Sequence, residues 1–203
     1  MNSRTALERA SLLTDVLSAK LHELPMPATL RNRVAGACFA VALEHQQAVV
    51  VLCEHGPPLY SSTFALVRPV YDSCMRGFWI LHCATEEQVE SFSKDGKPPD
   101  MASLVSAVEK AANFDGKQLS AVYLKHWGSF SSFTHTGGLQ VQRWSTPTAI
   151  ESNFEQSEID QALEFTAALA LLSAIGVASL ANNEPLAKEL LEVAVQHTAA
   201  NEV

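Results

Sequence analysis

Arg68, Asp72 and Arg76 follow one another at i, i+4 steps within the stretch FALVRPVYDSCMRGFWILHC, residues 64–83. At about 100° per residue, a helix through this stretch sets those three with Trp79 and Cys83 on one side and turns Leu66, Val70, Gly77 and Leu81 the other way. The polar side also carries Ser61 and Ala65 and no Lys or Glu. Guanidinium groups taken out of water must be paired, and one Asp72 carboxylate cannot satisfy two of them, so donors are left over for an anion. The chemistry expected of this stripe is a small anion pocket. Its plain alternative is a solvated helix face with ordinary i, i+4 ion pairs.

A second cluster, SFSSFTHTGG at 129–138, surrounds His135 with hydroxyls in the last turn of a helix. An imidazole at a helix C-terminus suits acid–base work, or it simply caps the last carbonyls while the glycine pair makes the turn. Other chemistry lacks its pattern. Glu44-His45 and Glu54-His55 stand apart from any H-E-x-x-H set, so no metal is expected. The chain has no G-x-S-x-G elbow, no glycine-rich phosphate loop and no dinucleotide fingerprint, so neither a hydrolase triad nor a cofactor is expected.

Positioning these clusters requires long helices. Leu12, Leu13, Val16, Leu17 and Leu21 recur at three-to-four spacing before Pro25, and the same period runs from Ala28 to Glu54, where His55-Gly56-Pro57-Pro58 breaks it. The first two helices are expected to form an antiparallel hairpin. The third spans Leu59 to Ala84 with Pro69 inside it, which should kink it near Arg68. Thr85 and Asp100 are expected caps of two shorter helices, the second ending near Asn113. A further helix begins at Gln118 and ends at Gly137-Gly138; Leu139 to Arg143 alternates and reads as extended. Ser157 is expected to cap a helix in which Ala170, Ala174 and Ala178 recur every four residues, and a last helix starts at Glu184. The chain thus reads as all-α, one domain over 1–203, a bundle of about six to eight helices.

With 203 residues and 47% hydrophobic side chains, one sizeable core is available. The formal net charge is −8. The acid excess lies in 146–203, which carries one basic and nine acidic residues, against thirteen of each before it. No Lys/Arg cluster exists to hold a nucleic-acid backbone. Cys38, Cys53, Cys74 and Cys83 form no C-x-x-C pair, which fits reduced thiols in a cytoplasmic protein. The apolar run 165–181 is rich in Ala, Ser and Thr, and reads as a core helix and not a membrane span.

The segments LVRPVYDSCMRGFWILHCA at 66–84 and FTHTGGLQVQRW at 133–144 resemble a bacterial family of all-helical proteins of unknown function. Its first motif, R-P-x-x-E-x-x-x-R-G-x-W, is matched at Arg68, Pro69, Arg76, Gly77 and Trp79, with Asp72 in place of Glu. Its second is matched at Thr134, His135, Thr136, Gly137, Gly138, Gln140, Arg143 and Trp144. More distantly the chain is similar to HEPN-type helical domains, many of which cleave RNA through an R-x4-6-H motif whose spacing Arg76 and His82 meet. On one unbroken helix those two point about 120° apart, so His135 would be the better partner. The site expectations follow: Arg76 and His135 as catalytic candidates, with Arg68, Asp72, Trp79, Thr134 and Arg143 as ligand-binding ones. The protein is expected to be a homodimeric binding module for a small anion, with RNA as a substrate only in the HEPN-type alternative.

Overall fold

A computed structural model describes residues 4–112 and 117–199. Among the described residues the chain forms nine helices: α1 (Ala6–Leu21), α2 (Leu30–Glu54), α3 (Tyr60–His82), α4 (Glu86–Ser93), α5 (Met101–Ala111), α6 (Gln118–Thr134), α7 (Gly138–Gln142), α8 (Gln156–Leu180) and α9 (Glu184–Ala199). It is all-α. Ser145 and Ile150 make a single antiparallel bridge, the one extended pairing among the described residues.

Local chemistry sets most helix starts. Thr5 and Glu8 exchange side-chain and backbone bonds in a capping box before α1, and Thr85 and Gln88 do the same before α4. Asp100 accepts from the Ser103 amide before α5. The start of α8 differs from the expected Ser157 cap: Glu155 is the cap, in a reciprocal box with Glu158, and Ser157 lies inside the helix. A carboxylate at that end meets the positive pole of the helix dipole, as a serine cannot. The residue at the expected end of α5, Asn113, lies outside the described residues.

α2, α3 and α8 are the three long central helices, and α2 makes its most extensive contact with α3. α1 packs on both α2 and α8: its start lies against the end of α2, Ala6 and Ala10 with Val49, Val50 and Cys53, as the expected antiparallel hairpin requires, and its contact with α8 is the more extensive. The reason is small residues: Ala167, Ala170, Ala174 and Ala178 are fully buried and let Leu13 and Leu17 of α1 and Leu186 and Leu190 of α9 approach the α8 backbone. By length and composition α2 and α8 are each apolar enough to cross a membrane. In the bundle α8 is mostly buried among its neighbours.

The centre of the core is Phe39 of α2, which is fully buried. Its ring fits between Gly77 of α3 and Gly176 of α8: a Cβ at either position would come within 2.4 Å or 2.5 Å of ring carbons. Both glycines thus admit one aromatic ring where three helices cross.

α6 ends differently from expectation. The left-handed residue is Thr136, with φ 53°, and the Gly137 amide bonds back to Ser132 O at 2.7 Å in a Schellman-type closure. A β-branched residue at positive φ costs about 1–3 kcal/mol and persists only if its surroundings hold it. Gly137 is needed for closeness, since a Cβ there would lie 2.5 Å from Ser132 Oγ. The segment expected to be extended is instead α7, a single helical turn. Alternation over five residues, Leu139 to Arg143, fits either form, and the Val141 amide bonding Gly137 O at 3.1 Å decides for the helix.

Candidate functional site

The polar stripe of α3 is half-buried and continuous. Asp72, 12% exposed in its side chain, lies between Arg68 at 22% and Arg76 at 32%. One carboxylate oxygen, Oδ2, faces both: Arg68 Nε at 3.7 Å and Arg76 Nη2 at 3.4 Å. The other oxygen, Oδ1, is buried with no hydrogen-bond partner. Burial pushes the Asp72 carboxyl up, against the pull of Arg76 and then Arg68. Two guanidinium groups sharing one oxygen leave donors over. Among the described residues, Arg68 Nη2 and Arg76 Nη1 and Nε donate no hydrogen bond.

α6 completes this stripe from across the fold. Trp127, Ser131 and His135 repeat at the same four-residue step as Arg68, Asp72 and Arg76. The Arg68 guanidinium carbon lies 4.2 Å from the centre of the Trp127 ring, a cation–π contact. Arg68 Nη1 donates to Ser131 Oγ at 3.2 Å and lies 3.0 Å from His135 Nε2. A guanidinium has only donors, so this contact uses Nε2 as an acceptor and puts the ring proton on Nδ1. His135, Arg68, Asp72 and Arg76 thus form an unbroken polar chain.

Pro69 explains why α6 docks where it does. α3 runs unbroken through Pro69, which has no N–H for the carbonyl four residues back, Ala65. Thr134 Oγ1 donates to that same Ala65 oxygen at 3.2 Å. One turn earlier, Gln140 Nε2 donates to Ser61 O at 3.1 Å and Trp144 Nε1 to Ser61 Oγ. The segment 134–144 is therefore a clasp on the first half of α3, and the proline opens the place its threonine fills.

Other expected site residues lie elsewhere. Trp79 is buried, edge-on to Phe92, within the core. Arg143 is ion-paired to Glu158 at the start of α8. Arg76 lines a hollow of about 550 Å³ with Cys38, Ser73 and Phe92, which His135 does not line. His82 stacks on Phe78, on the same unbroken helix as Arg76. Trp127 and Ser131 were not among the expected site residues; their i, i+4, i+8 alignment with His135 is the signal that marks them. Among the described residues no three His, Cys, Asp or Glu side chains gather as metal ligands would.

No curated protein and no solved structure matches the chain. Residues 39–201, which include α3, the clasp and α8, match one family model, and the chain belongs to that family, a family of unknown function, DUF6988.

Proposed function

We propose that the protein is a binding module whose Arg68–Asp72–Arg76 stripe receives a small anion, with His135 at its edge. The observation that carries this is the sharing of one Asp72 oxygen by two half-buried guanidinium groups, which leaves unused N–H donors and a net positive charge at the surface. The reading is preferred to RNA cleavage for two reasons. His135 Nε2, the atom a general base would use, already accepts from Arg68. Arg76 and His82 diverge by about 120° on one helix.

Thermal unfolding in inorganic phosphate tests it. With a Kd of about 1 mM, 10 mM phosphate would stabilise the fold by ~1.4 kcal/mol, a Tm rise of about 3–6 °C over sodium chloride at equal ionic strength. Arg68→Ala with Arg76→Ala should abolish the rise. No rise over chloride, or an equal rise in the double variant, would sink the reading.

A further inference from the structure

α6 packs on α3 and α5, and α8 packs on α2, α3 and α1, so the two flank α3 and meet each other through aromatic side chains. A cavity of about 500 Å³ lies between them. Its size falls within the range of pockets that enclose small molecules. Arg68, Asp72 and His135 do not line it; it is separate from the anion stripe.

The interior is aromatic. Phe130 and Phe165 stand 5.3 Å apart between ring centres, and Phe64 and Phe133 stand 4.9 Å apart. His126 lies nearly parallel to Phe130 at 5.7 Å. Burial, and then the neighbouring Lys125, hold its imidazole below the ordinary histidine value, so near neutral pH it extends the apolar wall.

Two cations, Lys125 and Arg143, line the cavity. Lys125 is exposed and makes no ion pair among the described residues. Arg143 gives one nitrogen to Glu158, while its Nε is buried with no acceptor. A buried donor without a partner costs about 1–3 kcal/mol, which an incoming acceptor would recover. Two cations against one carboxylate already in use leave an excess of one positive charge.

We infer that this cavity binds a hydrophobic carboxylic acid, its apolar body among Phe64, Phe130, Phe133 and Phe165 and its carboxylate toward Lys125 and Arg143. Net charge on the whole chain is negative, so attraction of an acid here is local and depends on those two residues. The inference stands apart from the anion stripe, since Arg68, Asp72 and His135 do not line the cavity.

Titration calorimetry of the full chain with decanoate, and with decanol as the uncharged analogue, tests it. Decanoate should bind with a Kd in the micromolar range and decanol at least tenfold more weakly. Lys125→Glu, at an exposed position, should weaken decanoate at least fivefold and leave decanol unchanged. Ser129→Trp, which fills the cavity from α6, should abolish both, with an unchanged circular dichroism spectrum showing that the variant folds. If that variant does not fold, Gln161→Trp fills the same space from α8. No decanoate binding at 1 mM, equal binding of the two probes, or decanoate binding unaffected by Lys125→Glu or by the filled cavity would each overturn the inference.

Discussion

Substituting Gly77 by alanine tests the packing on which the polar stripe depends. The added Cβ would stand 2.4 Å from Phe39 Cε1 and 2.6 Å from Cδ1, whereas ordinary contact begins at 3.4 Å. A ring can usually yield, but α8 also lies close to Phe39, where a Cβ at Gly176 would stand 2.5 Å from its Cζ. The clash therefore belongs at the upper end of the ~1–3 kcal/mol expected for overpacking. Alanine in a helix interior recovers about 1 kcal/mol over glycine. The net loss is about 2 kcal/mol, or some 4–8 °C in Tm for a chain of this length. Phe39→Ala costs ~3–5 kcal/mol by itself but removes the obstacle, so adding Gly77→Ala to it should stabilise by about 1 kcal/mol. Urea unfolding followed by far-UV circular dichroism would measure both backgrounds. A neutral or stabilising Gly77→Ala in the wild type would refute the reasoning, as would a destabilising one in the Phe39→Ala background.

Two further outcomes follow from the site. Thr134→Val should cost about 1–3 kcal/mol by leaving the Ala65 carbonyl unpaired, and less in a Pro69→Ala background, where the restored amide can reach that carbonyl; equal costs in the two backgrounds, from urea midpoints, would argue against the clasp. The second concerns pH. Because the folded Asp72 carboxyl titrates above its ordinary 3.8, the native state holds that proton more tightly, so its stabilising contribution is greatest below the unfolded value and is lost as pH rises through the folded one. Asp72→Asn lacks this decline, so from pH 3.5 to 6.5 the stability difference should move steadily in favour of the variant; a flat difference, or one moving the other way, would show that the arginines outweigh burial.

What the sequence reveals depends on how local its cause is. Helix periods, the Thr85 and Asp100 caps and the polar ladder on α3 come from neighbours within a turn, and they are visible in the residue order. The larger contact of α1 with α8, beside its hairpin contact with α2, was not, because Leu13 and Leu17 would fit either helix equally well until the alanines of α8 are in place. Leu139 to Arg143 misled for a related reason: a five-residue alternation carries too little length to distinguish one helical turn from a strand. The cavity between α6 and α8 draws its lining from α3, α6, α8 and the clasp, and no single stretch announces it.

Pro69 joins the two motifs in a way that separates fold from chemistry. Of the residues in 68–79, Pro69 creates the vacancy that Thr134 fills, Gly77 admits Phe39, and Trp79 is core. Those three are accounted for by packing alone. Arg68 is not, since its ring contact, its hydroxyl acceptor and its histidine all come from α6 and its C-terminal cap. Stability alone does not require a cation there: replacing a partly buried ion pair with apolar groups is often neutral or stabilising. The clasp therefore does more than close a helix pair. Its His135, with Trp127 and Ser131 of α6, holds the guanidinium of Arg68 beside Asp72, with Nη2 donating no hydrogen bond among the described residues.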